Sequence, residues 1–372
     1  MYIEKTANPK ASPNAYRRCT ARHLGEREPQ TDMALLDSPS GQSESLRLLE
    51  RIERQLRVDT GADAADTGKS LRVDEDVDEW ALPTARLARE LWTLVLDVVF
   101  APLSLRIRAA ELLNACCAGA DADEAEALVR VDERDAHKLR AIVSSTCQVL
   151  EELDATDAEQ AAQLFAWLGF LERVLLATSS EVCAQVFHNS MYAGMLTKML
   201  RLLSACSTKV FAATTVCLAL VHSHERRCER SVLMQEVLCD KKEGREHLSG
   251  AMLHVINSCG CPVAVRLFGD ILADDAASAL VYVNDFKVLV DLVIRECTDL
   301  PQEDATRLHF LTLLERILDS PLYLQTQMYR KRELWTLLEA LLDAGAEEDS
   351  RMPEAVVDKL KQILVRYIDL LD

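Results

Sequence analysis

The chain has 372 residues, about twice the usual domain length, and carries 60 acidic against 42 basic residues, a formal charge of −18. That surplus repels phosphate backbones and anionic bilayers, so neither nucleic-acid binding nor membrane-surface binding is expected. With only 12 Gly, 10 Pro and 5% aromatics, the composition argues for helices and against sandwiches, barrels and Gly-rich nucleotide folds.

Residues 1–41 show no sustained apolar period. Arg17, Arg18, Arg22 and Arg27 alternate with small and turn-forming residues, which predicts a disordered, mildly basic arm. Glu4, Glu26 and Glu28 count against a transit peptide, and no apolar signal-peptide core follows Met1. Residues 42–79 read as one amphipathic helix with Leu46, Leu49, Ile52 and Leu56 at helical spacing, followed by an acidic linker.

From residue 80 to 372 one apolar helical pattern follows another. Helices are predicted over 83–99, 102–118, 135–153, 157–177, 190–204, 208–223, 246–258, 262–273, 285–297, 303–318, 331–343 and 353–371. Pro83, Pro102, Pro262, Pro301, Pro321 and Pro353 mark breaks or first turns. The helices pair at intervals of roughly 40–55 residues, somewhat above armadillo and HEAT periods. No single pair can bury both its apolar faces, so neighbours must stack. The fold class predicted is all-α: an armadillo/HEAT-like α-solenoid of irregular helix pairs, with a globular helical bundle as the alternative. The longest nearly apolar stretch, Val210 to Val221, is too short to span a bilayer, so no membrane insertion is expected. In the last helix Val357, Leu360, Leu364, Tyr367 and Leu371 form a short seam, read as a terminal helix that caps the stack.

Catalytic and metal signatures fail on their surroundings. Asp59-Thr-Gly61 and Asp66-Thr-Gly68 lie in the acidic linker, not on facing β turns. Gly68-Lys69-Ser70 lacks the earlier glycine of a phosphate loop, Asp63 standing there instead. His222, His224, Cys228 and Cys239 match no common zinc spacing and read as an inter-helix loop. Cys259-Gly-Cys261 reads as a turn before Pro262. Cys116, Cys117, Cys147, Cys183, Cys217 and Cys297 fall inside apolar patterns and behave as small buried hydrophobes. A reduced cytosolic chain, no cofactor, no metal and no enzymatic activity are expected.

The segment 281–334 is the most distinctive. Its first helix has a core face of Phe286, Leu289, Val290, Val293, Ile294 and Cys297. Asn284 or Asp285 is placed to cap its start, and Glu303 and Asp304 are placed in the next first turn. Lys287, Asp291 and Arg295 lie four apart on the opposite face, positioned to pair along it. Arg330, Lys331 and Arg332 read as an inter-helix loop. The pattern runs Tyr-x-Asn-Asp, Val-Leu-Val-Asp, Arg-Glu, Thr-Asp-Leu-Pro and Tyr-Arg-Lys-Arg-Glu. It resembles the leucine-rich domain of the WISH/DIP/SPIN family.

That resemblance implies an armadillo-type solenoid that binds and activates the actin-related protein 2/3 complex without a preformed filament. Linear filaments that seed branched networks would result, at cortical and endocytic actin in the cytoplasm. The end of an actin filament is a second partner that the resemblance implies. The candidate partner-binding residues are Lys287, Asp291, Arg295, Arg330, Lys331 and Arg332. No SH3 domain, proline-rich tail or acidic tryptophan tail is read in the chain; Trp80, Trp92, Trp167 and Trp335 all sit in or beside the helical region. Two alternatives stay open: an armadillo-type nucleotide exchange factor for a small GTPase, and a passive scaffold.

Overall fold

The computed structural model describes Leu49 and residues 84–371, apart from 98–100, 189, 205, 230–231, 239–243 and 347–350. The predicted arm, the linker and Pro83 lie outside the described residues. Of the predicted first helix only Leu49 is described, and it is helical and buried. The described residues form an all-α structure. None of their helices alone is long and apolar enough to cross a membrane.

Among the described residues, twelve long helices occupy the positions predicted from residue 80 on, in pairs. The first member of each pair is α1 (Thr84–Leu96), α4 (Ala136–Glu152), α7 (Ser190–Leu202), α9 (Leu248–Cys259), α12 (Val283–Asp299) and α15 (Lys331–Ala346). The second is α2 (Leu103–Gly119), α5 (Ala158–Ala177), α8 (Thr208–Arg227), α10 (Pro262–Ala273), α13 (Arg307–Asp319) and α16 (Glu354–Leu371). Starts of the second members are 45 residues apart at the closest (262 to 307) and 55 at the widest (103 to 158).

Each second member packs on the next: α2 on α5, α5 on α8, α8 on α10, α10 on α13 and α13 on α16. The first members form a parallel row, α1–α4–α7 and α9–α12–α15. Between α7 and α9 that row is bridged by a 3-10 turn at Arg245–His247, which touches both.

Four short helices follow second members: α3 (Ala122–Val129), α6 (Ser180–Val186), α11 (Asp275–Ser278) and α14 (Pro321–Gln325). None is predicted above. Each starts on a side-chain cap, Asp121, Ser179, Asp274 and Ser320 respectively, which accepts a backbone N–H and so replaces a missing helical bond. After α8 a π-helical turn, Leu233–Leu238, stands in the corresponding place.

The core runs along the second members. Trp167, Phe170, Phe268 and Phe310 on them are fully buried, as is Phe286 of the first row. Trp167 donates its indole N–H to Thr146 Oγ1 at 3.0 Å, so its burial leaves no orphaned donor. Buried Arg106 is held by Ser145 Oγ (2.8 Å) and Gln148 Oε1 (2.5 Å) across the α2–α4 junction. The cysteines placed in the core fit there, with Cys147 only half-buried. Burial pushes the Cys116 thiol to about 11 and those of Cys183 and Cys297 to about 12, which keeps them protonated and inert.

Two expectations are corrected. α8 continues to Arg227, so His222 and His224 are buried helix residues, not loop residues. His222 Nε2 meets Asp270 Oδ2 at 2.8 Å, and His224 lies between Ser180 Oγ (3.0 Å) and the Leu175 carbonyl (2.9 Å). Polar partners inside the stack make these positions compatible with helix. In α16 the buried row is Val356, Leu360, Ile363, Tyr367 and Leu371, while Val357 and Leu364 are half-buried. The helix kinks at Tyr367, whose hydroxyl donates to Asp319 Oδ1 at 2.6 Å. α16 packs against α13 and α15 as the last helix of the described stack.

Candidate functional site

α12 builds the centre of the distinctive segment. Phe286, Leu289, Val290, Val293 and Cys297 are buried as expected, joined by Leu292, while Ile294 is half-buried. The predicted cap is absent. The helix starts two residues earlier, at Val283, with no side-chain cap, and Asp285 instead accepts from Ser249 Oγ of α9 at 2.7 Å. At the other end, buried Arg307 donates to the carbonyls of Cys297 and Gln302, each at 3.2 Å, and to that of Leu300. The guanidinium thereby satisfies carbonyls that a helix end leaves open. The Thr-Asp-Leu-Pro segment is thus wrapped around a buried cation. Glu303 and Asp304 precede α13 rather than entering it; Asp304 accepts the Thr306 N–H at 2.8 Å.

The polar stripe does not pair along itself. Asp291 accepts from Tyr329 OH (3.2 Å) and from Arg330 Nε (3.1 Å), and Arg330 Nη1 also donates to Glu333 Oε1 (3.0 Å). Lys287 Nζ lies 5.6 Å from the Tyr329 ring centroid and the Arg330 guanidinium carbon 5.5 Å from it, both at cation–π range. Arg295 stands apart. It donates to Asn257 Oδ1 of α9 at 2.8 Å and to its neighbour Glu296. The structure therefore unites Lys287, Asp291 and Arg330, and leaves Arg295 outside that group.

The loop that brings Tyr329 and Arg330 to α12 is tightly wound. Gln327, Met328 and Arg330 have φ of 56°, 53° and 58°, left-handed backbone that costs a non-glycine residue roughly 1–2 kcal/mol each. Thr326 Oγ1 and the Met328 N–H both bond the Tyr323 carbonyl and hold the turn. Lys331 and Arg332 are not loop residues: they occupy the first turn of α15. There the helix dipole disfavours cations by about 0.3–1 kcal/mol, and neither side chain makes a hydrogen bond or ion pair with a described residue. Tyr329 and Glu333 complete the cluster. The Tyr-Arg-Lys-Arg-Glu pattern contained both, but nothing in it announced their contact with α12.

The Asp-Thr-Gly and Gly-Lys-Ser segments and Cys239 lie outside the described residues. Gly260 caps α9 at φ 59° and Cys261 precedes Pro262, the predicted turn. No group of three or more His, Cys, Asp or Glu able to hold a metal occurs among the described residues. The Ser180–His224 contact is a structural one. Both residues are buried, and the histidine's second nitrogen is spent on the Leu175 carbonyl.

The described residues thus define an all-α protein of serially packed helix pairs, with a polar cluster joining α12 to the start of α15. Residues 197–334, from α7 to the first turn of α15, match the family model described as SPIN90/Ldb17, leucine-rich domain. The WISH/DIP/SPIN recognition made on residues 281–334 is borne out, and the match extends it upstream to residue 197.

Proposed function

We propose that the chain is an armadillo-type α-solenoid that binds the actin-related protein 2/3 complex and activates it without a preformed filament. The observation that carries this reading is the match of residues 197–334 to the SPIN90/Ldb17 leucine-rich domain. The serial contacts of the helix pairs support the solenoid. Three helices per unit, two long and one short, fit an armadillo pattern better than a two-helix one.

In this reading the protein is a binding protein rather than an enzyme, acting in the cytoplasm at cortical actin. The docking face is the exposed cluster of Lys287, Asp291 and Arg330 with Lys331 and Arg332, and Arg295 at its margin. Two cations at a helix N-terminus without described partners are poised to take carboxylates from another chain. The test is polymerisation of purified actin with the purified complex, no filament seeds and no other activator. Acceleration that rises with added protein is expected; none at saturation would remove the activator role. Nucleotide-release assays across small GTPases would then address the exchange-factor alternative.

A further inference from the structure

A cleft opens on the row of second members, where α8, α10 and α13 meet. It is lined by Arg226, Arg266, Asp270, His309 and Arg316, over a floor formed by Val265, Gly269 and Leu313. Three guanidinium groups therefore meet one carboxylate, in a chain with 60 acids and 42 bases. That carboxylate is already engaged. Asp270 takes Arg226 at 2.9 Å and the buried His222 at 2.8 Å. Arg266 and Arg316 are both half-buried, and neither forms a hydrogen bond or ion pair with a described residue. The Arg316 stem lies against the backbone of α10: a β-carbon placed on Gly269 would be 3.5 Å from its Cγ.

Two half-desolvated guanidiniums without counter-ions are unusual where acids are in excess. One carboxylate would satisfy one arginine, whereas an oxyanion with three free oxygens and close to two charges matches a pair of forked donors. The partner carrying that group is not a polymer or surface of phosphates. Asp270 inside the cleft and the net charge of −18 oppose an extended anionic array, while a single local group meets the cations alone. We infer that this cleft binds a phosphoserine or phosphothreonine side chain of a protein partner, held by Arg266 and Arg316 with Arg226 and His309 at its edges. The inference does not rest on the actin reading, and its test involves no actin.

The full chain would be screened against an oriented peptide library with a fixed central phosphoserine or phosphothreonine. Matched libraries would carry serine, threonine or glutamate at that position. Enriched peptides would be measured by fluorescence anisotropy, with inorganic phosphate as competitor. Phosphorylated peptides should be enriched over all matched forms, and inorganic phosphate should displace them. Arg266→Glu with Arg316→Glu should weaken binding by at least about tenfold, since each charge-assisted contact alone accounts for such a factor. Arg134→Glu with Arg140→Glu, an equal change of charge on exposed residues of the α4 region, should bind like the parent. Melting curves would verify that all variants fold, and single Arg266→Gln and Arg316→Gln variants would serve if the double reversal does not. The assignment is overturned by no enrichment, by equal enrichment of the glutamate library, or by equal losses in both double reversals. Binding to phosphoinositide vesicles with no peptide binding would also overturn it.

Discussion

Glu315 on α13 and Asp291 on α12 each reach forward to cations of the next helix pair. Glu315 is buried, with Lys359 Nζ at 2.5 Å and Arg366 Nη1 at 3.1 Å on α16. Asp291 is half-exposed and meets Arg330 and Tyr329 ahead of α15. The covalent distances are similar, 44 residues to Lys359 and 39 to Arg330, yet the two clasps sit in different solvent. Burial alone would raise the Glu315 carboxyl, but Lys359 and Arg366 outweigh it and hold it below the ordinary range. The buried clasp fastens the stack. The exposed one contributes little to stability and leaves its charges available to a partner.

The largest effect is expected at the buried clasp. Glu315→Gln takes from Lys359 its carboxylate partner in the α13–α16 junction, leaving it Gln362 Oε1 at 3.2 Å, and should cost about 3 kcal/mol, the lower end for breaking a buried pair because Arg366 is partly in water. Chemical denaturation would measure it, and a cost under about 1 kcal/mol would erase the distinction between the clasps. Next is Leu289→Ala, on the buried side of the helix that carries Asp291. It should cost about 3 kcal/mol through lost contacts and a residual cavity. Asp291→Asn on the opposite side should cost no more than about 1 kcal/mol.

Acid should act on the clasps and the histidines in separate windows. Burial depresses His224 below its ordinary value of 6.5; burial and then Arg266 do the same for His309. A depressed histidine is neutral when folded, so the unfolded chain binds more protons as pH falls below about 6.5 and stability declines there. Glu315, depressed below its ordinary 4.5, adds a second loss only as pH falls below that value and through its folded pKa. Glu315→Gln should lessen the second decline, which Asp135, Asp154, Glu181, Glu246, Asp304 and Glu333 share because they too are held below their ordinary values, and leave the first intact. Denaturant titrations from pH 7.5 to 3.5 would separate them.

Much of the stack was legible because long helices bury a repeating face. Pro262–Ala273 falls on its predicted limits, and the other eleven long helices differ by only a few residues at their ends. The four short helices escaped because four to eight residues are too few to display an apolar period. Their caps, Asp121, Ser179, Asp274 and Ser320, were the readable signal. α8 looked finished at Ser223 because His224 and Glu225 are polar. Glu225 in fact accepts from the buried Tyr192 hydroxyl at 2.5 Å and from the Leu233 N–H. Lys287, Asp291 and Arg295 were found as a stripe, but their partners were not. Tyr329 and Arg330 arrive through three left-handed residues that are not glycine, and no local pattern encodes that turn. Arg266 and Arg316 lie fifty positions apart and become neighbours only when α10 packs on α13.

A small stability effect and the most informative functional one belong to the same variant. Lys287→Glu with Arg295→Glu removes a cation from the Tyr329 ring and a hydrogen bond to Asn257. It also sets two carboxylates one turn either side of Asp291. Arg295 is exposed and Lys287 and Asp291 are half-buried, so each exchange costs a fraction of a kcal/mol and the total should stay at about 1 kcal/mol. The melting temperature should barely move. If the exposed cluster docks the actin-related protein 2/3 complex, the same variant should slow filament assembly, because repulsion replaces attraction across the interface. Charges at the rim act mainly on association rate and are screened beyond about 8–10 Å at ordinary ionic strength. The defect should therefore shrink between low and high salt, whereas a misfolded protein would be slow at both. Melting curves and assembly rates at two ionic strengths decide it. Parental assembly rates in a folded double variant would take Lys287 and Arg295 out of the docking face. Lys331→Glu with Arg332→Glu would then probe what remains, at a helix start where acids are favoured over the native cations.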